Sequence, residues 1–544
     1  MSLAKYKWLI AVGTVTLLLT LPIWVLVSYV FVPTNDNWSH LVETLLAEYV
    51  INSLWLMLGV SFGTLLLGVS TAWLISQYRF FGHSFLQWAL LLPIAIPAYI
   101  IAYTYTGLLE FEGPIQSYLR TIFAPSIVNS LFPEIRSLGG AMLMFSLVLY
   151  PYIYLLSRSA FSNHSQHALE AAKTLGAGPI RRFFSIAIPM ARPAIIAGLT
   201  LALMETLADF GTVQHFGVST FTTGIYRTWT GFGDTTTTAQ LALVLLVFVL
   251  VLITLEIWSR KQARFYSSDS IKSVHIKHQL TGWQAFGAFA WCFTPLLLGF
   301  LLPSSQLFYW AMTTAETQFD SSFIQLIWNS FYLAFIAAIV ALFIALFLAY
   351  AKRMNQNKHI EGSIRIASLG YAIPGTVIAI AVMIPLAWID NTLDHFMTSQ
   401  FGISTGLVLS GTLFALVFAY SFRFLSVSLQ TIDSGLNQVK PTIDESARTL
   451  GASHWQVIKN IHFPIIQSSL VIAFLLVFVE VLKELPTTLI LRPFNFNTLS
   501  VRAYEMAADE RLADAGLPAL LIVLTGIIPV IILSKLIGKP DVKA

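Results

Sequence analysis

The sequence predicts an all-α integral membrane protein of about twelve transmembrane helices, arranged as two homologous six-helix halves. Three observations predict it: a depletion of charge, apolar runs of spanning length, and short phrases that recur at a nearly fixed offset. Of 544 residues, 56% are hydrophobic and 11% charged, with a mean hydropathy of +0.74. An ordinary soluble domain carries about 25% charged residues, so this chain takes the bilayer as its solvent. The net charge of +4 is too small to mark a nucleic-acid partner, and no basic patch interleaved with aromatics supports one. Cys292 stands alone, which excludes an intrachain disulfide and any cysteine-built zinc or iron–sulfur site.

Taken in order, runs near 9–32, 52–76, 86–109, 138–160, 187–208 and 238–258 fill the first half. Those near 284–307, 327–350, 365–388, 404–426, 464–485 and 516–537 fill the second. Each approaches the roughly 20 apolar residues that a spanning helix needs. The first follows Lys5 and Lys7 and is longer than the ~7–15-residue core of a signal peptide, with no small-residue cleavage site, so it reads as a retained span. Lys and Arg accumulate in cytoplasmic loops. Threading twelve crossings from a cytoplasmic start leaves only Arg120, Arg136, Arg227, Lys483, Arg492, Arg502 and Arg511, of 31 positive residues, on the outer side. Both termini are then cytoplasmic. Pro93, Pro97, Pro151 and Pro374 fall within these segments and predict kinks.

The repeat follows from paired phrases. NSLWLMLG at Asn52 is echoed by NSFYLAFI at Asn329, and AIP ending at Pro97 by AIP ending at Pro374. EAAKTLG (Glu170 to Gly176) pairs with ESARTLG (Glu445 to Gly451), and ETLADFGT (Glu205 to Thr212) with EVLKELPT (Glu480 to Thr487). FTTGIYR (Phe221 to Arg227) pairs with FNTLSVR (Phe496 to Arg502). A period held over five landmarks marks a duplicated unit. Six crossings per unit is an even number, so the halves are parallel repeats about an axis along the membrane normal. The division expected is a first helix and outer segment (1–47), a first permease-like domain (48–259), a linker with the seventh helix (260–324), a second such domain (325–536) and a tail (537–544).

The two polar phrases have a readable build. Residues 163–175 predict a short helix with Leu169, Ala172 and Leu175 on one apolar stripe. Gly176 suits the left-handed conformation that ends it, and Pro189 suits the first turn of the next span. The second copy repeats this with Gly451 and Pro464, at the same glycine-to-proline spacing. A sealing amphipathic helix explains one such loop; a pair with equal spacing suggests two docking helices for a twofold cytoplasmic partner.

These residues carry a resemblance to the permease subunits of binding-protein-dependent ABC importers, whose signature loop reads EAA---G---------I-LP. The first copy matches at Glu170, Ala171, Ala172, Gly176, Ile186 and Pro189, with Ile188 in place of leucine. The second matches at Glu445, Ala447, Gly451, Ile461 and Pro464, with Ser446 for the first alanine and Phe463 for the leucine. The resemblance implies a type I ABC importer permease fold in a bacterial inner membrane. It implies a coupling role for Glu170, Ala171, Ala172, Gly176, Ala177, Glu445, Ala447, Gly451 and Ala452. It further implies two copies of an ABC ATPase on the cytoplasmic side and a periplasmic substrate-binding protein on the other. No G-x-x-x-x-G-K-[ST] phosphate loop occurs, so the chain itself is expected to bind no cofactor; ATP and magnesium are used by the partner ATPase. The chain is accordingly expected not to be an enzyme.

Fused double permeases of this length resemble ferric iron permeases most closely, through 205–229 and 483–515. Thiamine, phosphonate and polyamine permeases share the build and stay open as alternatives. Ferric iron is a hard cation that favours oxygen ligands. Glu205 with Asp209, and Glu480 with Glu484, stand at i, i+4 spacing, which would place each pair on one helix face and let four carboxylates converge on a pathway. The competing reading is that they are solvated: Glu205 lies 16 residues beyond Pro189, about 24 Å along a helix, near the outer end of its span. Lys483 beside Glu484 also suggests a local ion pair. His164 and His167, and His275 and His278, read as solvated loop residues, and no metal is assigned to them. The rival functions are an ion-gradient-driven secondary transporter, which would show ionisable residues at the midplane, and a membrane enzyme, for which no catalytic constellation is visible.

Overall fold

The computed structural model describes residues 2–163, 166–261, 277–355 and 357–537. The polar linker over 262–276, His164, His275 and the tail from 538 lie outside the described residues. Ten described helices are long and apolar enough to cross a bilayer; His83–Ala95 and Ala98–Ile122 form a pair bent by 92° that counts as an eleventh if taken as one span, and Gly516–Ile532 is a shorter apolar helix. These segments fall on the twelve predicted runs.

The helices that matter below are α1 (Ser2–Ser28), α2 (Leu46–Gln77), α3 (His83–Ala89), α4 (Ala98–Leu109), α5 (Leu138–Asn163), α6 (Gln166–Thr174), α7 (Ile188–Ala208) and α8 (Thr235–Lys261). They continue with α9 (Gly282–Leu296), α10 (Leu302–Gln318), α11 (Ser321–Met354), α12 (Lys358–Ala367), α13 (Gly375–Phe401), α14 (Leu413–Asn437), α15 (Pro441–Thr449), α16 (Phe463–Lys483) and α17 (Gly516–Ile537).

Each repeat is built on a triple of mutually packed helices: α2, α5 and α7 in the first, α11, α14 and α16 in the second. Between helices in lipid there is little hydrophobic drive, so close approach of small residues supplies the attraction. In the first triple, glycines do this. A Cβ on Gly68 would lie 2.9 Å from the Tyr150 carbonyl, and one on Gly198 would lie 2.8 Å from Ile153 Cα. In the second triple a stripe of fully buried alanines on α11, Ala334, Ala338, Ala341 and Ala345, takes this place.

By contact the chain divides into two compact units that interleave along the sequence. One comprises Trp38–Gly224, Val244–Gln318 and Ala503–Ala544; the other comprises Met1–Asn37, Ile225–Leu243 and Phe319–Arg502. Within the first, α17 packs on α10 and on residues 92–95, where a Cβ on Gly526 would approach the Ala95 carbonyl to 2.6 Å. Within the second, α1 packs on α12 and α13. The first helix therefore joins the core of the second repeat, and the last helix joins the core of the first.

Two predicted spans, 86–109 and 365–388, are broken rather than kinked. A residue before proline is driven out of the helical region by the ring. Ile96 and Ile373 are accordingly extended (ψ 119° and 128°), and Pro97 and Pro374 open new helices, α4 and α13. Pro151, by contrast, sits within the unbroken α5, and Pro93 lies in the first turn of the short 3-10 helix over 92–95. The span expected at 404–426 runs instead over 413–437: Gly406 and Gly411 adopt left-handed backbone in the preceding loop, and the helix continues through polar residues to Asn437.

Candidate functional site

The two polar phrases fold alike. Each makes a nine-residue helix, α6 and α15, closed by a glycine with positive φ: Gly176 at +82° and Gly451 at +86°. The closure is a Schellman motif in both. Ala177 N donates to Ala172 O at 2.9 Å and Gly176 N to Lys173 O at 3.0 Å; Ala452 N donates to Ala447 O at 3.0 Å and Gly451 N to Arg448 O at 3.1 Å. Glu170, Ala171 and Glu445 are exposed, Ala177, Ala447 and Ala452 half-buried, and Ala172 buried. The apolar stripe needs one correction. Leu169 and Ala172 are buried, but Leu175 is 86% exposed, because α6 stops at Thr174 and the chain turns outward. Its counterpart Leu450 is 88% exposed. Both loops thus present a bare leucine immediately before the glycine.

Both return legs also match. Pro179–Arg182 and His454–Val457 lead into π-helical turns, Phe183–Ala187 and Ile458–His462. Pro189 and Pro464 follow as the second residues of α7 and α16, in the first turn as expected, with the π-helical turn running directly into each helix. A proline within a helix leaves a carbonyl without its usual donor. The wider turn supplies other bonds, Ile188 N to Phe183 O and Phe463 N to Ile458 O.

The loops differ in how they are anchored. In the second, Asp444 of α15 is held between two elements: Arg353, at the end of α11, donates from Nε and Nη2 at 3.0 and 2.8 Å, and His462 Nε2 stands 2.7 Å from the other carboxylate oxygen. Arg353 also donates to the carbonyls of Leu436 and Val439 at 2.6 and 3.0 Å. The first copy has Leu169 and Ala187 at the positions of Asp444 and His462, and both are buried. Burial alone would raise the Asp444 pKa, but the hydrogen bonds from His462 and Arg353 outweigh it and hold the carboxyl below its ordinary value. A depressed folded-state pKa contributes stability above the unfolded value, about 3.9, that is lost as pH falls through the folded value. Asp444→Asn should therefore loosen α15 at neutral pH by about 2 kcal/mol, and remove this acid dependence. Proteolysis of the second loop as a function of pH checks it; equal cleavage of variant and parent at pH 7 would contradict the anchoring.

The four candidate carboxylates do not stand as i, i+4 pairs on continuous helices. α7 ends at Ala208 and α16 at Lys483, and the next residue is extended in each case, Asp209 at φ −69°, ψ 140° and Glu484 at φ −69°, ψ 121°. Each then caps the short helix that follows. Asp209 Oδ1 accepts from Thr212 N at 2.9 Å and Oδ2 from Thr212 Oγ1 at 3.1 Å. Glu484 Oε1 accepts from Thr487 N at 3.2 Å and Thr487 Oγ1 at 2.6 Å. Lys483 pairs with Glu480, at 2.8 Å. Glu205 is half-buried in the last turn of α7.

Glu484 has a partner that the sequence reading did not single out. Arg423 lies within α14, with its Nη2 3.4 Å from Glu484 Oε2 and both side chains under a tenth exposed. Arg423 Nε and Nη1 have no hydrogen-bond partner. Gly375, the first residue of α13, leaves room for the pair: a Cβ there would intrude on Arg423 Nη1 and Glu484 Oε1 and would lie 2.6 Å from Thr487 Oγ1. Gly375→Ala should accordingly destabilise the second unit by about 1–3 kcal/mol, the usual range for overpacking; a thermal midpoint in detergent equal to the parent's would contradict this. The signal for Arg423 was available, a lone cation inside an apolar run. A second group missed from sequence is Arg136, which donates to both carboxylate oxygens of Glu510 at 2.8 and 2.6 Å and lies 2.5 Å from Glu110. Among the described residues no group of three or more His, Cys, Asp or Glu is placed to hold a metal ion.

Comparison with known proteins agrees with this build. Residues 64–261 and 361–539 each match the model of the binding-protein-dependent transport system inner membrane component. A ferric iron transport system permease protein of Haemophilus influenzae is 27% identical over 494 residues, covering 90% of both chains. A molybdenum transport system permease protein of Escherichia coli is 28% identical over 183 residues, 34% of this chain and 73% of its own. A spermidine/putrescine transport system permease protein of Haemophilus influenzae is 28% identical over 220 residues, 39% of this chain and 75% of its own.

Proposed function

Because the chain belongs to the family of binding-protein-dependent transport system inner membrane components, we propose that it is the membrane-spanning permease of an ATP-driven importer. One observation carries this reading: two glycine-capped helices, in equivalent repeat positions, each present an exposed leucine at the tip. A single bare leucine is ordinary on a protein surface; the same leucine bare at the same place in both repeats suits a twofold partner. Two copies of an ATPase would each take one tip, Leu175 with Glu170, Ala171, Ala172, Gly176 and Ala177, or Leu450 with Glu445, Ala447, Gly451 and Ala452. ATP and magnesium would be bound there and not by this chain. Both tips and both termini would lie in the cytoplasm, a reading that the distribution of positive residues supports, and a periplasmic binding protein would deliver substrate to the opposite side.

Ferric iron is the proposed cargo. A relative that matches over 90% of this chain carries that substrate in its name, whereas the molybdenum and polyamine relatives match over 34% and 39%. The substrate path is assigned to the breaks after α7 and α16, where Glu205, Asp209, Glu480 and Glu484 stand. Oxygen ligands there can exchange with a hard cation without the closed coordination that would trap it. Glu205→Gln together with Glu480→Gln should lower uptake of labelled ferric iron in a permease-deletion strain by about tenfold, the equivalent of ~1.4 kcal/mol, with membrane insertion unchanged. Unaltered uptake would reject the path. Uptake that survives ATP depletion but collapses with the proton gradient would reject the ATP-driven importer itself.

A further inference from the structure

Beneath the first polar loop, where α2 ends and α9 begins, lies an open groove of about 810 Å³. Its floor is apolar: Trp73 from the last turns of α2 packs on Phe183 of the π-helical turn, ring centroids 5.1 Å apart, and Ala288 of α9 closes the far side. A Cβ on neighbouring Gly287 would meet nothing within 4 Å, so this wall is open. The rim is basic. Lys173 comes from α6, Arg182 from the return leg and His278 from the two-residue strand that pairs in parallel with Tyr78–Arg79.

Among the described residues these cations have no counter-charge. Lys173 Nζ lies 3.3 Å from His278 Nε2, and no carboxylate pairs with Lys173 or Arg182 among the described residues. Arg182 Nε is buried and has no hydrogen-bond partner. Burial, together with the charges of Lys173 and Arg182, holds the His278 pKa below its ordinary value. An unpaired buried donor beside crowded like charges is costly, and an anion relieves both at once. The contrast with the second loop sharpens the point: there Asp444 of the chain itself sits between Arg353 and His462, whereas no described carboxylate takes that place here.

The groove also fixes what kind of anion. Trp73 lies within the span Leu46–Gln77, and Gly287 and Ala288 within the span Gly282–Gln318. The cleft therefore opens between the ends of two apolar helices, within about two turns of their termini, where the headgroup of a lipid and the start of its chains would lie. A phosphate diester on an acyl chain matches both ends: Arg and Lys take phosphate oxygens, and basic pockets between helices at the membrane surface select anionic headgroups. A zwitterionic lipid would bring its own ammonium against three basic groups.

We propose that this groove binds one anionic phospholipid, its phosphate between Lys173 and Arg182 and one acyl chain along Trp73, Phe183 and Ala288. The lipid ties the first polar loop to the returning linker and to α2. This site rests on the membrane assignment; the ATPase reading is not needed for it.

The full-length chain, stripped of lipid in detergent, is titrated with phosphatidylglycerol carrying brominated acyl chains, and quenching of Trp73 is taken as the difference between the parent and Trp73→Phe. The expected result is saturable quenching at low lipid mole fraction, weakened at least tenfold in Lys173→Gln/Arg182→Gln, and unmoved by millimolar glycerol 3-phosphate. Equal quenching by brominated phosphatidylcholine would overturn the proposal, as would an unchanged titration in the double variant. Competition by glycerol 3-phosphate would show a free-phosphate site instead. Exclusion of the brominated lipid from Trp73 in the chain assembled with its ATPase would show that a protein covers the groove. Either result would sink the lipid assignment, while leaving ATP dependence of uptake to be judged separately.

Discussion

Arg423→Ala should be among the most destabilising single substitutions in the second unit, costing about 3–5 kcal/mol. The substitution removes the cationic partner of Glu484, a carboxylate that is 7% exposed and already committed to capping Thr487. Desolvation makes a lone buried charge far more costly than a missing pair. Arg423→Met combined with Glu484→Gln should therefore recover much of the loss, since Gln retains the acceptor for Thr487 and carries no charge. Thermal unfolding of the purified chain in detergent reads the effect. A double variant no more stable than Arg423→Ala would mean that the pair acts through something other than charge compensation.

Gly451→Val should abolish the coupling of ATP hydrolysis to uptake, and Gly176→Val should do so at the other loop. Both glycines are left-handed, at +86° and +82°, and a Cβ at either would meet nothing within 4 Å. The penalty is thus backbone strain, about 1–2 kcal/mol, with more for a β-branched side chain. The strain reopens the Schellman closure and swings Leu450 or Leu175 from its position. Asn tolerates the left-handed region, so Gly451→Asn should stay near the parent while Gly451→Val fails. Binding-protein-stimulated ATPase and uptake, measured together in proteoliposomes, separate the cases. Equal loss in both variants would place the effect in the side chain against the partner and not in the turn.

Much of the fold was legible because bilayer insertion imposes strong rules on composition. Charge depletion and run length located the spans, and the recurring phrases located the repeat before any geometry was known. The misses have specific physical causes. The i, i+4 reading of Glu205 with Asp209 and Glu480 with Glu484 assumed unbroken helices. Pro486, two residues beyond Glu484, and Gly211, two beyond Asp209, were the signals that the helices end there. The span at 413–437 was set too early because hydropathy favours the apolar loop before it over the amphipathic turns around Gln430 and Asp433. The alliance of α1 with the second repeat and of α17 with the first is tertiary, and no local pattern announces it. The exposed leucines were half visible: Leu175 was assigned to the stripe, and only the end of α6 at Thr174 shows that it leaves it.

The most direct test of the account is thiol cross-linking in the assembled complex. Cys292, buried, is the lone cysteine, so Cys292→Ala provides a clean background for Thr174→Cys and Thr449→Cys, one exposed position beside each leucine. With the ATPase present, both positions should join to it, one ATPase copy per loop, and both should become protected from a water-soluble maleimide. Cross-links formed from other surfaces of the chain, with both loops still fully labelled, would contradict the claim that these two helices receive the motor.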